Sequence, residues 1–205
     1  MPTRRSLLFS VPFLLAASRV PAADEATEAA QFVKQTGDAI RQVVDQPGPM
    51  SDKRGALAQI VDQAVDVDGI GRFALGRFWN VATPAQRQAY LSLFHQFLVF
   101  NVTGRLGQYK GATFTIDRTE PMNGDMAVST TIHTPGQPTA NMQWIVGFTS
   151  GRPQIVDLVA EGTSMRVTQR SDYASVITRN GGEDVQALID AMRAQLTRLQ
   201  GGSNG

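Results

Sequence analysis

At Gly111 the spacing of apolar residues changes period, and that change constrains the fold more than any other feature of this 205-residue chain. Upstream, apolar side chains recur every three or four positions; downstream, from Thr113 to about Val146, they alternate. The first period describes helices with one buried stripe, the second strands with one buried face. Helices that precede a block of strands and return after it predict an α+β fold, a twisted antiparallel sheet with helices over one face.

Four strands are predicted. "TFTID" sets Phe114 and Ile116 against Thr113, Thr115 and Asp117, and "MAVSTTIHT" sets Met126, Val128, Thr130 and Ile132 against their neighbours. "NMQWIVGF" sets Met142, Trp144, Val146 and Phe148 against Gln143, Ile145 and Gly147. "QIVDLVAEG" is apolar on both faces, as a central strand would be. Turn signals at Asn123-Gly124-Asp125, Pro135-Gly136 and Ser150-Gly151 separate the runs and argue for a meander.

Helical spacing predicts elements from Asp24 to Gln46, from Ser51 or Asp52 to about Val65, and from Pro84 to about Tyr109. Pro47 and Pro49 stop the first. Thr83-Pro84-Ala85-Gln86 starts the third, with Thr83 and Gln86 placed for a capping box and Pro84 where its missing N–H costs nothing. "DVDGIGRFALGRFW" predicts a short, glycine-interrupted helix. Ser164–Arg179 and Val185–Leu199 predict the returning helices, with Ser164 as a cap.

The first residues stand apart from this pattern. Arg4 and Arg5 precede an apolar stretch from Leu7 to Ala17 and the small-residue exit Val20-Pro21-Ala22, which predicts an export signal over residues 1–22, cleaved after Ala22 or Ala23. "TRRSLL" is similar to a twin-arginine motif, so both general and twin-arginine export fit. Removing the signal takes away Arg4, Arg5 and Arg19 and no acid. The balance of 19 basic and 18 acidic residues becomes 16 and 18, a net charge of −2. The whole-chain pI of 8.1 therefore belongs to the precursor, and overall charge gives no argument for nucleic acid. An exported chain without cysteine is held by packing alone. One domain is predicted over residues 23–200, followed by a disordered tail at 201–205, in a soluble periplasmic protein.

The inventory for chemistry is thin. His95 reads as a boundary residue of a helix and His133 as a surface residue near a strand end, with no second metal ligand at useful spacing. "EGTSM" lacks the glycine-flanked serine of an acyl-transfer elbow. Asp157 and Glu161, four apart, read as solvated or strand-edge residues before they read as an acid–base pair. No glycine-rich phosphate loop calls for a cofactor. What stands out is aromatic: residues 73–100 hold seven of the fifteen aromatic side chains. They either fill a core or line an apolar cavity, and periodicity does not separate the two.

The residues around that stretch carry a resemblance. "RFALGRFWNVATPAQRQAYLSLFHQFLV" resembles the Arg-x-x-Leu-Gly-x-x-Trp … Thr-Pro-x-Gln-Arg signature of the toluene-tolerance (MlaC) family of periplasmic phospholipid carriers. "VDLVAEGTSMRVTQRSDYASVI" is similar to the family's Asp-x-x-x-Glu-Gly-x-Ser block. The likeness runs from Ala23 to about Leu199, with Phe78 where tyrosine is frequent. It implies an apolar lipid cavity between a twisted antiparallel sheet and helices, and no cofactor. It also implies two membrane partners, an outer-membrane lipoprotein–porin complex and an inner-membrane ABC transporter with an MCE-domain ring. Related members accompany hopanoid synthesis.

Such a carrier needs apolar area more than reactive groups. Each methylene kept from water is worth about 0.8 kcal/mol, so two acyl chains amount to tens of kcal/mol that the lining must largely offset. The expected lining is Phe73, Phe78, Phe94, Phe97 and Leu98 from the helices, and Met126, Val128, Trp144, Val146 and Val159 from the sheet. Met165, Tyr173 and Val176 are expected from the closing segment. Two other classes remain open: a cystatin-like-fold enzyme on a small apolar substrate, for which Asp157 with a raised pKa is the candidate, and a binder of a hydrophobic metabolite.

Overall fold

The computed structural model describes residues 22–148, 151–179, 182 and 184–201. The predicted export signal, up to residue 21, and tail residues 202–205 lie outside the described residues. The helices are α1 (Ala22–Asp45), α2 (Met50–Ala64), α3 (Val67–Leu75), α4 (Phe78–Val81) and α5 (Pro84–Leu106), the last continuing into a 3-10 turn at Gly107–Tyr109. The strands β1 (Thr113–Met122), β2 (Asp125–His133), β3 (Ala140–Gly147), β4 (Gln154–Ala160) and β5 (Thr163–Ser164) follow, then α6 (Met165–Arg179) and α7 (Val185–Gly201). Gly201, expected in the tail, closes α7.

Local signals explain most boundaries. Thr83 and Gln86 form the expected capping box, Gln86 N–H donating to Thr83 Oγ1 at 3.2 Å and Thr83 N–H to Gln86 Oε1 at 3.0 Å. Asp66 caps α3 by accepting from the Gly69 amide at 2.9 Å. Asn123 and Gly124, with φ of 52° and 92°, make the two-residue turn between β1 and β2, the conformation that an Asn-Gly pair favours in a hairpin.

The sheet is an antiparallel meander in the order β1-β2-β3-β4-β5, so it has five strands where the pattern predicted four. The fifth is two residues long, too short for alternation to register. Glu161 and Gly162, with φ of 48° and 78°, turn the chain into it. β4 is accordingly not central. It lies beside this terminal strand, and its two-faced apolarity follows from α2, α3 and α6 packing against it. β1 runs five residues past "TFTID" because a bulge between Ile116 and Arg118 resets the register, which breaks the alternation at Asp117.

Both sheet faces carry buried residues, where one covered face was expected. Met126, Val128 and Val146 lie on one, with Ala29 and Val33 of α1 packed on them; Ala127, Ile145 and Asp157, also buried, lie on the other. The remaining large cluster is helical, uniting α3, α4, α5, α6 and α7. Two tethers hold α1. Lys53 of α2, itself buried, donates from Nζ to the carbonyls of Val44 and Gln46 at 2.7 and 2.5 Å, satisfying groups that a helix end leaves open. Asp45 Oδ1 accepts from the Gly111 amide at 2.9 Å and ties the same end to the entry of β1.

Candidate functional site

A pocket of about 340 Å3 opens between α1 and β1, lined by Lys34, Asp38, Arg41, Thr113, Phe114 and Ile116. The three charged residues sit at i, i+4 and i+7 on α1 and form one row. Lys34 Nζ lies 2.6 Å and Arg41 3.3 Å from the Asp38 carboxylate. The hydrogen bond from Lys34, first among the causes, holds that carboxyl below its ordinary value. The rim therefore carries two cations for one anion. Phe114 and Ile116 are the apolar floor. The Phe114 ring lies so close to Gly37 that a Cβ there would overlap it, which is why α1 needs glycine at that point.

The floor continues into the sheet. Phe114 pairs with Ile132 and Ile116 with Thr130, on the face that holds Val128, Trp144 and Val146, and Ile116 packs on the cluster formed with α1. Trp144 Nε1 donates to Thr130 Oγ1 at 3.0 Å, and that hydroxyl donates to the Met142 carbonyl at 3.2 Å, so this apolar face carries one internally satisfied polar chain.

The thirteen residues expected to line a cavity fall in separate places. Met126, Val128 and Val146 are buried together in the cluster under α1, with Trp144 against it. Phe78, Phe94, Phe97 and Tyr173 are buried in the helical cluster, with Val176 packed on it. There the rings meet one another. Tyr90 and Phe94 each stand edge-on to Tyr173, at 5.9 and 6.4 Å between centroids. Tyr90 donates to the Gly71 carbonyl at 2.7 Å, and burial pushes the Tyr90 and Tyr173 hydroxyls to a raised pKa. Leu98 is half-buried on α5, and Phe73 is half-buried on α3. Met165 is 44% exposed. Val159 lies opposite Gln143, whereas Leu158 lies opposite Trp144, so Val159 is on the other sheet face from the four sheet residues it was grouped with. An apolar run of Ile155, Val156, Leu158 and Val159 leaves no alternation from which to read its facing.

The chemical candidates also find their places. His133 is exposed at the end of β2, and His95, half-buried, meets Asp62 at 2.5 Å. Among the described residues no group of three His, Asp or Glu is placed to hold a metal ion. Asp157, expected solvated or at a strand edge, is 5% exposed. It accepts from Ser164 Oγ at 2.5 Å and from the Leu158 and Arg166 amides at 2.8 and 3.1 Å, with Arg166 Nε at 3.5 Å. Glu161 sits exposed on the turn and accepts from the Asn141 amide at 3.0 Å.

What the sequence did not reveal is the role of the arginines. Arg72 and Arg87 both lie on Trp79, at 4.9 and 5.1 Å from the ring centre. Arg77 lies on Phe78 at 4.8 Å, and Arg166 and Arg170 both lie on Phe73, at 4.7 and 5.3 Å. Arg72, Leu75, Gly76, Trp79 and Arg87, the signature quoted above, thus form one packed corner in which Gly76 turns the chain at φ 58°. Nor did the sequence mark the pocket residues: the α1 charges look like any solvated helix face.

The fold is shared with a known structure. A phospholipid-binding protein from Ralstonia solanacearum, solved in complex with a phospholipid, matches 84% of this chain and 99% of its own, with a TM-score of 0.73 at 23% identity. Residues 30–194 match the family model described as MlaC protein, and the chain belongs to the MlaC family.

Proposed function

We propose that this protein is an exported periplasmic phospholipid carrier and not an enzyme. Its cargo passes between an outer-membrane lipoprotein–porin complex and an inner-membrane ABC transporter with MCE domains, so maintaining outer-membrane lipid asymmetry. The observation that carries the reading is the family match over residues 30–194, and the phospholipid held by the Ralstonia protein of the same fold supports the choice of cargo. Membership brings no need of a catalytic group, and the buried Asp157 is engaged by Ser164 and two backbone amides. Among the described residues no helix is long and apolar enough to cross a membrane.

In this reading the head group sits at the Lys34 and Arg41 rim, where a phosphate meets two cations. The tails pass over Phe114 and Ile116 toward Met126, Val128, Trp144 and Val146. At about 340 Å3 the pocket is the mouth of the path, at the low end of small-molecule sites of about 300–1,000 Å3. α1, whose Ala29 and Val33 cover Met126, Val128 and Val146, lifts from the sheet to admit the rest. The test is solvent extraction of protein purified from the periplasm, followed by mass spectrometry. Two-chain phospholipid at near one per protein is the expected result. A free fatty acid or small ring compound, or no lipid with turnover of an apolar substrate, rejects the proposal.

A further inference from the structure

The corner built by α3, α4, the first turn of α5 and the start of α6 gathers five guanidinium groups on three aromatic rings. Arg170 Nε lies 2.9 Å from where a Cβ at Gly76 would stand, which sets this arginine of the Phe73 pair against the turn that leads from α3 into Trp79. Arg72, Arg77 and Arg170 are exposed. Among the described residues none of Arg72, Arg77, Arg87 and Arg170 has a carboxylate within ion-pair distance; Arg166 has Asp157. A chain whose charges nearly cancel has concentrated unneutralised cations in one place.

A second observation is independent of charge. Among the described residues the large exposed apolar side chains are Val81, Met122, Met165 and Val167. Three of the four belong to this corner: Val81 ends α4 and Met165 and Val167 flank Arg166. Val167 and Val81 are more than half exposed, at 53% and 51%. Apolar side chains set among arginines, next to a half-buried tryptophan, match the composition of a surface that rests in the interfacial layer of a membrane.

The stacking favours phosphate as the counter-group. A guanidinium lying on a ring uses its face, which leaves its N–H donors in plane and lets the ring hold the side chain in advance. The exposed Arg72, Arg77 and Arg170 are the ones free to present them, since Arg87 donates to the Trp79 and Asn80 carbonyls and Arg166 to the Val156 carbonyl beside Asp157. A planar fork of donors fits phosphate oxygens two at a time. We propose that this corner is a peripheral docking surface for an anionic phospholipid bilayer. Arg72, Arg77 and Arg170 engage head-group phosphates, and Val81, Met165 and Val167 insert among them. It stands apart from the cargo reading, since the pocket between α1 and β1 contributes no residue to it.

Flotation of the chain from Ala23 onward with vesicles tests this. Vesicles of equal parts phosphatidylcholine and phosphatidylglycerol should bind it, phosphatidylcholine alone should not, and raised salt should release it. Arg77→Gln with Arg170→Gln should weaken binding about 25-fold, about fivefold for each basic residue near an anionic surface, with unchanged melting temperature and co-purified lipid. Lys34→Gln with Arg41→Gln should leave vesicle binding at the parent level. Equal binding to both vesicle types, parent-level binding by the Arg77/Arg170 variant, or binding to polyglutamate but to neither vesicle overturns the proposal, the last in favour of an acidic protein partner.

Discussion

Ser164 Oγ donates to Asp157 Oδ2 at 2.5 Å across the turn that separates β4 from β5. The same hydroxyl oxygen accepts from the Val167 amide at 3.2 Å, and Asp157 Oδ1 accepts from the Arg166 amide at 3.1 Å. Two free N–H groups at the start of α6 are thus capped, Val167 by the serine hydroxyl and Arg166 by the buried sheet carboxylate that also positions that serine. Glu161 and Gly162 supply the intervening turn. The Asp-x-x-x-Glu-Gly-x-Ser block is therefore a folding latch, and it fixes Arg166 at the edge of the arginine corner.

Removing the two members of the latch should cost unequally. Ser164→Ala loses a cap, about 1 kcal/mol, while bound lipid is kept. Asp157→Ala strands the Leu158 and Arg166 amides, the Ser164 hydroxyl and the nearby Arg166 guanidinium, and should cost about 3 kcal/mol. Urea unfolding monitored by circular dichroism measures both. Equal costs would show that the carboxylate is incidental.

Lys53→Met tests the tether of α1. The variant keeps the volume of the stem but leaves the Val44 and Gln46 carbonyls without their donor, at a cost of about 3 kcal/mol. Faster amide exchange near the end of α1 should accompany the loss. A midpoint unchanged in urea would mean that water replaces the ammonium without penalty.

Ile116→Glu tests the mouth of the cargo path. The side chain is half-buried on the pocket floor, so a carboxylate there has room to fold but repels phosphate and wets the apolar path. Co-purified phospholipid should fall at least about tenfold, the order expected when an unpaired charge meets an apolar ligand. Lipid retained at the parent level, with normal circular dichroism, places the entrance elsewhere.

Asp125 makes stability depend on pH. Burial raises its carboxyl above the ordinary 3.8, and Arg166 opposes that shift in part. The folded state holds the proton where the unfolded chain has already released it, so stability falls as pH rises from below 3.8 through the folded value. Asp125→Asn removes that loss. The variant should be more stable than the parent at neutral pH, with the difference closing as pH falls below 3.8. A difference constant across that range, followed by thermal melts, would falsify the assignment to this carboxyl.

Much of this was legible in the chain itself. Thr83 and Gln86, Asn123-Gly124 and the Ser164 cap on the Val167 amide act within a few residues of where they stand, and these contacts need no distant partner. The two apolar periods are equally local, so the order of helices and strands follows from them. The strand β5 and the continuation of β1 past its bulge escaped, because two residues carry no period and a bulge resets it.

What the tertiary structure alone decided is which surfaces meet. Met126, Val128, Trp144 and Val146 share a face because alternation fixes them relative to one another, but only the register of β3 with β4 shows that Leu158, and not Val159, joins them. Asp157 looked like a solvated acid until the turn brought Ser164 and the Arg166 amide onto it. The aromatic residues of 73–100 turned out to serve both ends: some fill a ring-on-ring core, while Phe73, Phe78 and Trp79 carry arginines. Chain order specifies period and caps, since these act over a few bonds; burial and charge clustering depend on contacts between residues far apart in sequence, which exist only once the layers have closed.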